Sequence, residues 1–144
     1  EEVLGYELAL KGIFLQVIFL LLQYSTKQVK NMLPEEGTPS DKLKNVLDYI
    51  EIHYAKTISV EELAKICCFS EYHFMRFFKK HMNMTCVEYV NNVRLEKAVE
   101  LFEQGNTSIL EVSLSVGFHN LSYFHRAFKN KYGMTPRSFI KELK

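Results

Sequence analysis

Apolar residues recur three and four positions apart along most of this chain, which is the spacing of amphipathic helices. Leu43, Val46, Leu47, Ile50 and Tyr54 mark a first helix over about 41–55, with Ser40 or Asp41 as its cap. Three later helix starts carry the Ser/Thr-x-x-Glu capping signature: Ser59 with Glu62, Thr85 with Glu88, and Ser108 with Glu111. Thr135-Pro136 offers another start, a capping hydroxyl followed by proline at the first helical position. The pattern predicts about seven helices, over 41–55, 60–67, 71–82, 86–103, 108–115, 120–131 and 136–143. The fold class is therefore all-α, in keeping with only 6 glycines and 3 prolines.

Ahead of these helices, residues 4–24 read LGYELALKGIFLQVIFLLLQY. Leu8, Leu15 and Leu22 repeat every seven residues beside Leu4 and Ile18, while Phe14, Phe19 and Leu20 make an extra N-terminal helix apolar on most sides. Glu7, Lys11, Gly12 and Gln16 interrupt it, leaving it short of the roughly 20 apolar residues that span a bilayer. A buried or dimerising helix over 1–24 is the expectation, packed either on something outside this chain or on a second copy in a homodimer. Residues 25–40 lose periodicity and collect Pro34, Gly37 and Pro39, so they read as a linker. The domain boundaries that follow are 1–24, 25–40 and 41–144.

The second half of the chain repeats itself. Val60, Leu63, Ala64, Cys67 and Phe69 align with Ile109, Val112, Ser113, Val116 and Phe118, and Phe74, Arg76, Phe78, Lys79, Met84 and Thr85 align with Phe124, Arg126, Phe128, Lys129, Met134 and Thr135. Each copy reads as a short helix, a tight turn and a second helix crossing the first, with Ala64 or Ser113 giving room at the crossing and Cys68 or Gly117 in the turn. Glycine suits a left-handed turn residue, whereas Cys68 would carry a cost of about 1 kcal/mol unless the first turn takes a different form.

With Phe74, Phe77 and Phe78 inward, the second helix of the first copy presents Tyr72, Met75, Arg76 and Lys79 outward. With Phe124, Ala127 and Phe128 inward, its counterpart presents Leu121, Ser122, His125, Arg126 and Lys129. Each copy thus aims one arginine and one lysine from one side of a helix narrow enough for the DNA major groove, where arginine can grip guanine O6 and N7 and lysine pairs with phosphate. The connecting helix Cys86 to Gln104 would be about 28 Å long, close to the roughly 34 Å of one DNA turn.

Net charge is only +1, yet Thr57 to Lys144 holds 12 Lys+Arg against 9 Asp+Glu, so the basic groups gather in the repeated half. Cys67, Cys68 and Cys86 have neither zinc-ligand spacing nor a secreted disulfide framework, and the histidines His73, His81, His119 and His125 form no i, i+4 ligand set, so no metal or cofactor is expected. Cys67 reads as core and Arg94 as a phosphate contact or an ion pair with Glu88, Glu96 or another carboxylate. No phosphate loop, nucleophile elbow or carboxylate pair suggests an enzyme. Reduced thiols and the absence of a signal peptide point to the cytoplasm, and the opening Glu1-Glu2 without Met to a fragment of a longer regulator.

The stretches LAKICCFSEYHFMRFFKKHMNMTCVEYVNNVRLEKAVELF and VGFHNLSYFHRAFKNKYGMTPRSF resemble the AraC/XylS family of transcription regulators, over residues 41–144. The resemblance implies two helix-turn-helix lobes joined by a rigid helix, with the third and sixth helices reading double-stranded DNA. By position it assigns base reading to Tyr72, Met75 and Arg76 and to Leu121, Ser122, His125 and Arg126. It also implies activation through contact with RNA polymerase, and it likens residues 6–24 to the helix that ends a ligand-sensing, dimerising domain. A small-molecule effector would then act only through that domain. Cys68 and Ser113 depart from the glycine and alanine common in the family.

Overall fold

The computed structural model describes residues 14–18, 21 and 38–143. The chain divides into two units, Glu1–Thr38 and Pro39–Lys144. In the first, residues 14–18 and 21 are helical and Phe14, Leu15, Val17, Ile18 and Leu21 are exposed. The rest of the expected apolar helix, including Leu4, Leu8 and Leu22, and the linker residues 25–37 lie outside the described residues.

In the second unit all regular structure is helical: α1 (Pro39–His53), α2 (Val60–Ile66), α3 (Glu71–Met82), α4 (Cys86–Glu103), α5 (Ile109–Ser115), α6 (Leu121–Tyr132) and α7 (Pro136–Glu142). The pattern-based ranges differ mainly at α1. It starts at Pro39, inside the expected linker, because proline at a helix start has its φ already set and no N–H to satisfy. It also stops before Tyr54 and Ala55, where Lys56 N donates to His53 O at 2.9 Å and closes a turn.

Ser59 and Glu62 form a reciprocal box, with Glu62 N donating to Ser59 Oγ at 3.1 Å and Ser59 N donating to Glu62 Oε2 at 2.8 Å. Thr85 and Glu88 repeat it, and the Thr85 backbone N–H and hydroxyl hold the Glu88 carboxyl below its ordinary pKa. The third expected box is only half formed. Glu111 N donates to Ser108 Oγ at 3.4 Å, but Ser108 N donates to Asn106 Oδ1 at 3.1 Å instead of to Glu111. Ser59→Ala is accordingly expected to cost about 1 kcal/mol, and Ser108→Ala less than half as much, as read by urea denaturation.

Two hydrophobic cores lie along α4. Val46, Ile50, Leu63, Cys67, Phe74, Phe78, Val90 and Val93 belong to the first, and Leu95, Ala98, Phe102, Val112, Phe118, Phe124 and Phe128 to the second. Val93 and Leu95 are two residues apart, about 200° around a helix, so α4 turns opposite faces to the two lobes. Tyr54 packs against both cores. Ser113 replaces alanine at the crossing of the second lobe without an orphaned hydroxyl, because its Oγ donates to Leu110 O at 2.8 Å.

The two turns use the same backbone. Cys68 has φ 56° and Gly117 φ 93°, so the first copy does not escape the left-handed conformation by changing its turn. The helix ends match as well, with Asn83 at φ 55° after α3 and Gly133 at φ 75° after α6. Asparagine tolerates this region better than most residues, and the Cys68 side chain is exposed.

Candidate nucleic-acid interface

The repeated cap chemistry fixes both candidate reading helices at their N-termini. Ser70 Oγ accepts from His73 N at 3.3 Å and Asn120 Oδ1 accepts from Tyr123 N at 2.9 Å. Phe74 and Phe78 anchor α3 on its core, Phe124 and Phe128 anchor α6, and all four are fully buried. Their opposite faces are consequently turned to solvent.

Tyr72, Met75, Arg76 and Lys79 are all exposed on α3, and Leu121, Ser122, Arg126 and Lys129 are exposed on α6. His125 differs: it is half-buried, its ring set edge-on to Phe124 at 6.1 Å between centroids. None of Arg76, Lys79, Arg126 or Lys129 is in an ion pair among the described residues, whose salt bridges are Lys65–Glu61, Lys97–Glu100 and Lys131–Glu96. Among the described residues none of these four cations has a salt bridge to break before meeting an anionic partner, although Lys79 lies close enough to Glu88 to help hold its carboxyl below the ordinary pKa.

Both arginines lean on a tyrosine of their own helix. The Arg76 guanidinium lies 5.7 Å from the Tyr72 ring centre, and that of Arg126 lies 5.3 Å from Tyr123. Such stacking narrows the rotamers a long side chain samples and so lowers the entropy lost on binding. Tyr123 was not singled out by the sequence, since its counterpart in the first copy is His73; the i, i+3 spacing to Arg126 was the available signal. Tyr123 also accepts a hydrogen bond from Asn91 Nδ2 at 3.0 Å. Lys80 was likewise passed over as a base-face residue, although Tyr72, Arg76 and Lys80 follow one another at i, i+4 and i+8 and line one groove with His73, Phe77 and His81.

Two other basic residues are committed inside the molecule. Lys131 Nζ donates to Glu96 Oε1 at 2.7 Å and to Asn92 O at 3.0 Å, tying α6 to α4. Arg94 makes no ion pair among the described residues, with Glu88, Glu96 or any other carboxylate. Its Nε donates to Tyr54 O and its Nη2 to Lys56 O, both at 2.8 Å, and burial pulls its pKa down from the ordinary value. An arginine remains charged under such a shift. Of the cysteines, Cys67 and Cys86 are buried, with thiol pKa values raised by desolvation, and Cys68 is exposed. Among the described residues no cluster of His, Cys, Asp or Glu could hold a metal ion, and no helix is long and apolar enough to cross a membrane.

Two duplicated bihelical lobes on one connecting helix, each with an arginine and a lysine on the free face of its second helix, define a tandem helix-turn-helix protein. Residues 63–142 match the helix-turn-helix domain family, and the chain belongs to its AraC-type transcription regulators. It is 36% identical over 105 residues to the bifunctional transcriptional activator/DNA repair enzyme AdaA of Bacillus subtilis, covering 73% of this chain and 50% of that protein. A transcriptional regulator with an AraC-type DNA-binding domain from Chromobacterium violaceum carries the same fold, with TM-score 0.67 at 24% identity over 72% of this chain and 93% of that one. So does the DNA-binding domain of AdpA, solved in complex with a target DNA, with TM-score 0.65 at 23% identity over 69% of this chain and 90% of that one. Of three curated relatives that it matches, the chain spans 36%, 50% and 43% of the length.

Proposed function

We propose that this chain binds duplex DNA in a sequence-specific manner and regulates transcription, as an activator, with α3 and α6 entering two successive major-groove segments. The observation that carries the reading is the recurrence, in both copies, of an exposed arginine and lysine on the second helix that are in no salt bridge among the described residues. Base contacts fall to Tyr72, Met75, Arg76, Leu121, Ser122, His125 and Arg126, and phosphate contacts to Lys79 and Lys129. Arginine at such a place discriminates guanine by two hydrogen bonds, and lysine supplies the sequence-independent attraction. Residues 1–24 pair two copies as the end of a sensing domain, residues 25–40 link it to the DNA-binding part, and any small-molecule effector acts through that domain. RNA polymerase is the further partner, and the cytoplasm the place of action. The chain itself carries no enzymatic step.

Selection of bound duplexes from a random pool, followed by titration at several salt concentrations, tests this. A consensus with two half-sites is expected, with log affinity falling against log salt at a slope of about −2 or steeper, since Lys79 and Lys129 each neutralise a phosphate and release its counterion. A chain that binds no duplex at all would instead be a helical protein-interaction module.

A further inference from the structure

Arg94 stands where the two lobes meet. It follows Val93, the last α4 residue of the first core, and precedes Leu95, the first of the second. Its two 2.8 Å hydrogen bonds reach carbonyls just past the end of α1, in the first lobe, where a helix leaves its final acceptors unsatisfied and its dipole favours a cation. Its guanidinium also lies 5.8 Å from the ring centre of Phe118, in the second lobe's core. The turn before Phe118 comes equally close: a Cβ on Gly117 would sit 2.8 Å from Ala55 O, and 3.0 Å from both Tyr54 O and Arg94 Nε. One side chain of α4 is thereby clamped between the α1 end of one lobe and the helix-turn-helix turn of the other.

We propose that Arg94 is a positioning residue for DNA recognition: it locks the joint between the lobes and so sets the separation of half-sites the chain accepts. The inference rests on the DNA-binding reading above. A helix alone would leave each lobe free to rock about α4, since helix bending is soft compared with a bidentate hydrogen-bonded clamp. Methionine at 94 keeps the length of the side chain and removes both donors, while lysine keeps the charge and loses the planar fork.

The test uses the full chain and the best duplex from the random-pool selection, with one base pair added or removed between its half-sites. The wild type is expected to lose about 10-fold or more in affinity on either change, the order of a single misplaced recognition step. Arg94→Met should compress that penalty to about 3-fold or less while leaving the base preferences inside each half-site as they were; Arg94→Lys should fall between. Spin labels at the exposed Glu61 and Glu142 positions, in a Cys68→Gly background, give a readout without DNA, and the distance distribution should broaden in Arg94→Met. An unchanged spacing penalty, or an equal loss of affinity on every spacing with an unbroadened distribution, would overturn the proposal. If Arg94→Met fails to fold by circular dichroism, Arg94→Lys decides by the same measurements. If the wild type binds no duplex, the DNA reading fails and the label distances alone decide whether Arg94 locks the joint.

Discussion

A chain carrying Arg76→Ala and Arg126→Ala together is expected to bind its selected duplex about 2–6 kcal/mol more weakly, roughly 30-fold to more than 10,000-fold. Each arginine is exposed, is steadied by a tyrosine ring and makes no ion pair among the described residues, so the change removes a prepared contact and leaves no buried partner behind. The two lie over separate cores, so their costs should add to within a few tenths of a kcal/mol. Folding should be little affected, since neither side chain is buried. Fluorescence anisotropy gives the affinities. Repeating the selection with each single variant should relax one base position apiece, in different half-sites. Equal binding by the wild type and the double variant would take base reading away from both residues.

Much of this was legible because the repeat checks itself. An apolar residue three or four places from its neighbour is ambiguous once, but Phe74 and Phe78 recurring as Phe124 and Phe128 fix both the helix and its inward face, and the outward face follows by geometry. The caps were legible for the same local reason, with one failure that is instructive. Ser108 and Glu111 have the right spacing, yet Asn106, two residues upstream, reaches the Ser108 N–H first. Local pattern could not reveal contacts made across the fold. Arg94 pairs with carbonyls 40 and 38 residues away, and nothing in the sequence around it distinguishes a carbonyl clamp from an ion pair within the helix. His125 was placed outward by the helical wheel, but it sits at the border of the face, where a ring can lie against Phe124 and be half-buried.

Gly117→Ala is expected to destabilise the chain by about 2–5 kcal/mol, a large part of the 5–15 kcal/mol typical of a whole domain. Two costs combine. At φ 93° a side chain bears the left-handed penalty of about 1–2 kcal/mol, and the added methyl falls 2.8 Å from Ala55 O and 3.0 Å from Tyr54 O, both backbone atoms that cannot swing aside as a side-chain tip would. Cys68 shows why the matching turn escapes: it has φ 56° and a Cβ, yet it is exposed. Cys68→Ala should therefore shift stability by no more than about 0.5 kcal/mol. Gly117→Asn separates the two costs, because asparagine tolerates the left-handed backbone but keeps the colliding Cβ; it should remain well below the wild type in urea. If it recovered nearly all the lost stability, the strain would lie in φ alone and the approach of the lobes would be looser than the clamp around Arg94 requires. The difference between cysteine in one turn and glycine in the other is thus set by what stands opposite: solvent in the first lobe, the end of α1 in the second.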